Sequence, residues 1–354
     1  MKISNTGAVL LCVIGMTIVG SSVSISQLVL DYPALTGQAA RYALAAVALF
    51  AIARRWPGIG VDGSPATGRP TGREWVVLTA LAAIGLAAFN AFVLIALPHA
   101  DPALVGTFIG AAPLGLALLG PLLRGRRPTV RLLGAAGIVV AGTALVQGTG
   151  RADTIGVLAS LGALGGEIAF SLLAAVVLPR LGPVRVAAYS CALAVPLLLV
   201  GALVAGEPAD WRLPTGVEAA TYAYLAALMT VVAFVAWFTG LRRLGVERAG
   251  ILVGLMPVAT LLTAAVQAGR LPALGSTAGV LVVALGLAVG LAGQRNQPAA
   301  PDPDRQPALP AEPAWELSAE PGPAEFPEPA VVPEPAVAST AEPAVASTAR
   351  TASA

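Results

Sequence analysis

Residues 134–146 read GAAGIVVAGTALV, a run of small and apolar side chains without a single charge. A membrane-spanning β-strand would alternate polar and apolar positions, and this run does not. Backbone polar groups inside lipid must be satisfied within their own segment, so we expect an α-helix here. The run belongs to a longer apolar segment, residues 129–147, and similar segments recur along the chain.

The whole chain has the composition of a membrane protein. Of its 354 residues, 56% are hydrophobic and 11% are charged, and the mean hydropathy is +0.81. Soluble domains carry about 25% charged residues, so this chain cannot cover a soluble surface of its size. Its apolar content also excludes disorder as the dominant state.

Ten apolar segments are each near the roughly 20 residues that cross a ~30 Å hydrocarbon core. They are residues 6–30, 33–53, 74–97, 102–123, 129–147, 154–178, 184–205, 218–241, 249–268 and 275–294. The sequence therefore predicts an all-α membrane protein with ten transmembrane helices.

The positions of Lys and Arg predict the orientation of these helices. With a cytoplasmic N-terminus, the cytoplasmic links hold 15 of these residues and the opposite links hold 3. Positive residues concentrate on the cytoplasmic side of membrane proteins. We therefore expect a multi-pass protein of the cytoplasmic membrane with both termini in the cytoplasm.

An internal repeat relates the two halves at a constant offset of 144 residues. The matched pairs are Glu74 and Glu218, Gly106 and Gly250, Gly110 and Gly254, Pro113 and Pro257, Gly125 and Gly269, Arg126 and Arg270, Pro128 and Pro272, and Gly142 and Gly286. Five helices are an odd number, so the second half enters the membrane from the opposite side. The sequence predicts repeats over residues 1–150 and 151–295 with inverted topology, a device that recurs in secondary transporters.

The remaining residues, 296–354, differ in composition. They hold 13 prolines, a net charge of −7, and the octapeptide EPAVASTA at both 334–341 and 342–349. Such a segment cannot bury enough apolar surface to fold. We expect a disordered cytoplasmic tail, and a solvated extension is favoured over a docking arm for a partner.

Two charged residues, Arg41 and Glu167, lie well inside predicted spans. A charge there costs at least ~2.5–3.5 kcal/mol, so such residues usually face a cavity or a partner. Glu167 is a candidate proton carrier, or else a neutral acid bonded to backbone or to Ser171. Arg41 is expected to snorkel outward, to pair with Asp31 or Glu167, or to hold an anionic group of a substrate.

Two amides are further candidates for a polar pathway, Asn90 in the third span and Gln27 in the first. Amide side chains require more hydrogen-bond partners than hydroxyl groups do. The Ser and Thr residues of the first span are more typical of contacts that join helices.

Glycine pairs spaced by four residues place both members on one helix face and permit close backbone approach. Proline removes a backbone hydrogen bond and can kink a helix. The matched sets Gly106, Gly110 and Pro113, and Gly250, Gly254 and Pro257, are therefore candidate gate elements or packing sites.

Motifs of enzymes and of metal sites are missing from the sequence. It contains no HExxH, GxSxG or GxxxxGK[ST], one histidine (His99), and two cysteines without CxxC spacing. Its arginines lie in the gaps between apolar runs rather than on one polar face, which does not suggest a partner nucleic acid. We expect no enzyme activity, cofactor or metal.

Several segments resemble the EamA branch of the drug/metabolite transporter superfamily. They are residues 230–264 (TVVAFVAWFTGLRRLGVERAGILVGLMPVATLLTA), 126–146 (RRPTVRLLGAAGIVVAGTALV) and 41–49 (RYALAAVAL). The resemblance covers about residues 5–294. It implies a central cavity lined largely by helices 3, 4, 8 and 9, and export of small solutes such as amino acids, metabolites or drugs, often with proton coupling. An acidic residue usual in the family is absent after Gly125 and Gly269.

The expected function is secondary active transport of small metabolites or drugs across the cytoplasmic membrane by alternating access, in the direction of export. Its partners would be a small-molecule substrate, the lipid bilayer and, as a further candidate, protons. The alternative is a non-transporting membrane scaffold or sensor with an acidic docking tail. The sequence leaves open the substrate, export versus import, the coupling ion, the oligomeric state and any role of the C-terminal tail.

Overall fold

The computed structural model describes residues 4–55, 69–147, 151–269, 271 and 273–292. Within these ranges the chain is helical, and its strand-like pairing is limited to an isolated bridge between Ala100 and Ala152. The predicted tail, residues 296–354, lies outside the described residues, as do Arg270 and Pro272 of the predicted repeat.

We number the long helical segments in chain order. They are α1 (Asn5–Ser26), α2 (Ala34–Arg55), α3 (Gly72–Ala96), α4 (Leu104–Leu122), α5 (Val130–Gln147), α6 (Thr154–Leu181), α7 (Pro183–Val204), α8 (Gly216–Leu244), α9 (Val246–Gln267) and α10 (Leu274–Ala292). In the described part of the chain, nine of them are long and apolar enough to span a membrane.

The exception is α5, whose apolar part, Val130–Val146, is shorter than the others. At 1.5 Å per residue its length is roughly 25 Å, less than the ~30 Å hydrocarbon core. The all-helical, multi-pass class predicted from the sequence is therefore confirmed. The count of ten spans stays a prediction.

Contacts between helix ends show which helices run antiparallel. At the start of α2, the backbone and hydroxyl groups of Thr36 donate hydrogen bonds to Glu207, just after the end of α7. Near the start of α10, Ser276 donates to the carbonyl oxygen of Val146 at the end of α5. Helices α2 and α7 are thus antiparallel partners, and so are α5 and α10.

The two ends of the helical unit are named here from α1. The first end is where α1 begins, and there Gly240 near the end of α8 lies against Ala8 and Cys12. The second end is where α1 finishes, and there Arg212, before the start of α8, lies 3.4 Å from the carbonyl oxygen of Asp31. Successive helices alternate in direction between these two ends.

Local features recur 144 residues apart in α3 and α8. Each helix begins with a capping box, Thr71 with Glu74 and Thr215 with Glu218, in which side chain and backbone bond reciprocally. Each then passes through a wider π-type segment, Leu81–Ala88 in α3 and Leu225–Val232 in α8. Such segments are rare and frequently lie at functional sites.

The α4 and α9 helices also share local features at this offset. Each is interrupted in its first half, at Gly110 in α4 and at Leu252–Gly254 in α9. Each is followed by a glycine with positive φ, 65° at Gly125 and 61° at Gly269. Residues with a Cβ rarely adopt this conformation, which explains why glycine stands at both helix ends.

Small residues allow helices α5 and α10 to pack backbone against backbone. A Cβ atom on Gly142 would lie 2.6 Å from the backbone nitrogen of Val283, and one on Gly279 would lie 2.6 Å from that of Val146. This close packing of small residues is the type of contact on which helix association in lipid relies.

Candidate functional site

A cavity of about 570 Å³ lies among the helices. Helices α3, α4, α8 and α9 line it, in keeping with what the sequence resemblance implies, and α1, α2 and α6 contribute as well. This volume is within the range of small-molecule sites, about 300–1,000 Å³.

The cavity occupies the middle of the helical unit and the half toward its second end. The α2 residues that line it, Gln38, Arg41 and Tyr42, are close to the start of that helix. Those of α4, among them Val105 and Gly106, are also close to the helix start. Both helices begin at the second end, so the cavity is nearer to that end.

Arg41 is a buried cation on the cavity wall, with 5% of its surface exposed. Its Nη1 lies 3.1 Å from Sδ of Met229, and the guanidinium carbon lies 4.5 Å from the ring centroid of Tyr42. Its Nε is buried with no hydrogen-bond partner, and no acid pairs with it among the described residues. The predicted pairings with Asp31 and Glu167 are therefore not present.

Glu167 lines the same cavity from α6. Its side chain is partly exposed, and this exposure faces the cavity. In the described part of the chain it has no ion pair, and Ser171, one turn away, has a buried hydroxyl oxygen without a partner. The predicted bond between these two residues is not formed.

The two predicted amides differ in what the structure says of them. Asn90 lines the cavity and donates a hydrogen bond of 2.7 Å to the carbonyl oxygen of Leu86. The side chain of Gln27 lies outside the described residues. Hydroxyl groups of α1, such as those of Ser22 and Ser26, bond to carbonyl oxygens of their own helix.

The predicted glycines and prolines divide between the cavity wall and helix contacts. Gly106 and Pro257 line the cavity, and Pro113 is buried. A Cβ on Gly110 would lie 2.3 Å from Thr143, and one on Gly254 would lie 2.2 Å from Val139, both on α5. A Cβ on Gly250 would lie 2.8 Å from Cβ of Leu116 on α4.

Aromatic side chains form part of the cavity wall that sequence reasoning missed. Phe170 of α6 and Phe234 of α8 have ring centroids 5.1 Å apart, and Trp237 lies one turn beyond Phe234. Apolar residues in a membrane helix carry no signal of whether they face lipid, protein or cavity. The repeat could not identify these lining residues either, because matched positions do not indicate which face of a helix is turned toward the cavity.

At the first end, α4 and α9 are in contact below the cavity. Arg124, just after α4, forms an ion pair with Glu247 near the start of α9. Glu247 also lies next to Gly120, and Gly250 packs against Leu116. These contacts close the helical unit on the side away from the cavity.

The loops at the second end hold their own polar contacts. Arg212 donates to Glu218 over 2.7 Å, which raises the pKa of its guanidinium group. Asp153 accepts hydrogen bonds from the backbone of Gly156 and from His99, and both lower the pKa of this carboxyl group. In the ranges that the structure describes, no cluster of His, Cys, Asp and Glu could hold a metal ion.

The sequence model of the EamA-like transporter family matches residues 6–147 and, a second time, residues 154–291. The chain belongs to the EamA-like transporter family. This family is part of the drug/metabolite transporter superfamily, so the resemblance seen in the sequence is confirmed.

Two proteins of Bacillus subtilis (strain 168) are similar to this EamA protein. The uncharacterized transporter YdeK is 33% identical over 204 residues, which cover 56% of this chain and 69% of YdeK. The uncharacterized transporter YetK is 23% identical over 273 residues, 73% of this chain and 79% of YetK. A solved crystal structure matches the fold with a TM-score of 0.67 at 20% identity, covering 83% of this chain and 100% of that chain.

Family membership and the apolar helices together make this chain a multi-pass membrane transporter. The cavity is therefore the candidate substrate site. Three of the residues predicted from the sequence, Arg41, Glu167 and Asn90, lie on its wall.

Proposed function

We propose that this EamA protein is a secondary active transporter that exports small metabolites or drugs across the cytoplasmic membrane by alternating access. The observation that carries the proposal is the cavity of about 570 Å³ that holds both intramembrane charges, Arg41 and Glu167. Ionisable residues within a membrane protein mark substrate or ion pathways. A helical bundle without a substrate or ion pathway would have no reason to keep two costly ionisable residues in its apolar interior.

The mechanism rests on an inverted repeat of two five-helix halves, residues 1–150 and 151–295. Support comes from the two matches of the family model and from the paired capping boxes and π-type segments 144 residues apart. In such repeats, the two halves exchange conformations and open the central site to each side in turn.

The first end of the helical unit is the cytoplasmic one in this proposal. The bias of Lys and Arg toward links at that end supports the orientation. The cavity would then lie toward the outside, and the contacts between α4 and α9 would close it from the cytoplasm.

Glu167 is the residue that binds and releases a proton during the cycle in this proposal. It is the acid that faces the cavity among the described residues, and it has no ion pair there. A carboxyl group in a low-polarity cavity responds strongly to its surroundings and can gain or lose its proton as they change.

Flux in proteoliposomes tests the proposal directly. A panel of small radiolabelled amino acids, organic acids and amines is measured with and without an imposed pH gradient. We expect flux of at least one member that responds to the gradient, and we expect Glu167→Gln to remove the response while the protein stays folded. Unchanged gradient-dependent flux in this variant would refute the role of Glu167, and no flux of any member would count against transport.

A further inference from the structure

Arg41 carries a positive charge that nothing in the described chain neutralises. Only 5% of the surface of this residue is exposed, yet it lines the cavity. Its neighbours are the thioether sulfur of Met229 and the ring of Tyr42. Both are weak electron donors without a net charge, so the cation remains without a counter-ion.

Buried guanidinium groups are normally paired with an acid, because desolvation of an unpaired charge is costly. Here the acid on the cavity wall is Glu167, which lies on a different helix and forms no ion pair with Arg41. The Nε of Arg41 is also a buried donor without a partner. The site therefore has a cation without a counter-ion.

The rest of the cavity wall determines what else an occupant must have. Phe89, Phe170, Phe234, Trp237 and Met256 line it, and they offer apolar and aromatic surface to a ligand. Aromatic side chains gain most by contact with flat, apolar groups. The complementary ligand is an anionic group attached to an apolar body that fits within about 570 Å³.

We infer that Arg41 binds the carboxylate of the transported molecule, so the substrates include small organic acids with an apolar body. The inference rests on the proposed function, since it places the substrate in the transport cavity. A guanidinium group presents a planar fork of donors that matches a carboxylate in two parallel hydrogen bonds.

Binding to the purified full-length protein in lipid nanodiscs tests the inference. The probes are benzoate, phenylacetate and hexanoate, each compared with its methyl ester, which has the same body without the charge. We expect each acid to bind at least about tenfold more tightly than its ester, a free-energy difference of about 1.4 kcal/mol. Calorimetric titration gives the affinities, and the shift in Tm gives an independent reading.

Variants then identify the residue responsible. Arg41→Gln is expected to abolish the preference for the acid, and Arg41→Lys to keep it at lower affinity, because the charge remains without the planar fork. Arg131→Gln, which removes an exposed arginine at the start of α5, should keep the preference. If Arg41→Gln fails to fold, the comparison of Arg41→Lys with wild type still decides the matter.

Three results would overturn the inference. The first is an unchanged preference for the acid in Arg41→Gln, and the second is equal binding of acid and ester to wild type. The third is loss of acid binding when phosphatidylglycerol is added to phosphatidylcholine nanodiscs, which would show that the anion is a lipid headgroup. Gradient-dependent flux of neutral or cationic probes would leave the proposed transport intact in each case, whereas absence of flux for every member of the panel, acids included, would end both.

Discussion

The two ends of the helical unit use equivalent positions of α4 and α9 in different ways. At the first end, Leu116 of α4 contacts Gly250 of α9. The positions related to these by the offset of 144 are Thr260 and Gly106, and both line the cavity. One pair of equivalent positions is thus in contact, while the other pair borders open space.

The equivalent positions of α4 and α9 also differ in charge between the two ends. The first end holds the ion pair between Arg124 and Glu247. The positions 144 residues away are Ala268 and Ala103, which carry no charge. The contact at the first end therefore has an extra stabilising interaction, so two similar halves need not have equal preference for their two states. Alternating access would require the Gly106 and Thr260 pair to close when the Leu116 and Gly250 pair opens.

The largest expected effect comes from the scaffold that both ends share, the packing of α5 on α10. Gly142→Val would place a side chain 2.6 Å from the backbone nitrogen of Val283, where no flexible group can yield. Overpacking against backbone costs about 1–3 kcal/mol or more, and we expect little folded protein. Size-exclusion profiles and Tm measure this loss.

Gly137→Ala on the same helix is the matched control, because a Cβ there would meet no atom of another helix within 4 Å. It should leave Tm unchanged or slightly raised, since Ala favours the helix more than Gly does. Equal tolerance of both substitutions would mean that α5 and α10 do not pack as described.

The second prediction concerns Gly250 and Gly106, the glycines of the two equivalent pairs compared above. Gly250→Val should obstruct the contact with Leu116, whereas Gly106→Val should obstruct closure at the second end. An overpacking cost of about 1–3 kcal/mol corresponds to a population shift of about 5- to 150-fold, in opposite directions for the two variants. Both should lose most of their flux.

Labelling of a cavity cysteine by an impermeant maleimide measures these populations. The cysteine is introduced by Val93→Cys, because Val93 lies on the cavity wall. The two native cysteines, Cys12 and Cys191, are replaced by Ala in the same protein. In vesicles of known orientation, Gly250→Val should increase labelling from the first end, and Gly106→Val should increase it from the second. The same direction of change in both variants would contradict the exchange of gates.

A smaller effect is expected from the ion pair at the first end. Glu247→Gln removes the pair with Arg124, which is partly exposed and so contributes at most about 1 kcal/mol. The same labelling experiment should show a shift of about two- to fivefold toward opening at the first end. The exchanged pair, Arg124→Glu with Glu247→Arg, should restore the wild-type labelling if the charge pair is what matters.

The smallest effect concerns Thr260, the counterpart of Leu116. Its hydroxyl group donates over 2.9 Å to the carbonyl oxygen of Gly20 on α1, besides bonding within α9. Thr260→Val removes this link between helices and should cost about 0.5–1.5 kcal/mol, a fall in Tm of a few degrees.

Thr263→Val serves as its comparison, because that hydroxyl group bonds to Ala259 of its own helix. A smaller fall in Tm is expected for it. If Thr263→Val lowers Tm as much as Thr260→Val does, the contact between α1 and α9 contributes nothing measurable.

The helices and the charged lining residues could be predicted from the sequence, for different reasons. Spans follow from apolar length, which the bilayer imposes directly on the sequence. Arg41 and Glu167 were found because a charge in lipid is costly and so is rarely placed without use. The lack of an ion pair between them could not be foreseen, because it depends on how α2 and α6 sit around the cavity.

Other parts of the site have no sequence pattern from which they could be predicted. Met229, which contacts Arg41, is an ordinary apolar residue in its helix, and its place follows from the π-type segment that contains it. Such segments form where tertiary packing overrides the regular turn, and neither composition nor period marks them. The contact between Gly250 and Leu116 at the first end could not be predicted either, since a repeated Gly is equally compatible with a closed contact and with an open one.

The π-type segments of α3 and α8 have a consequence for how these genes can change. Each segment, Leu81–Ala88 and Leu225–Val232, accommodates more residues per turn than a regular helix does. Loss of one residue there can be absorbed by a return to ordinary winding, whereas a deletion in α5 would rotate the remainder of that helix out of its packing. Loss of a single codon should therefore survive selection more often at these two places than elsewhere in the spans.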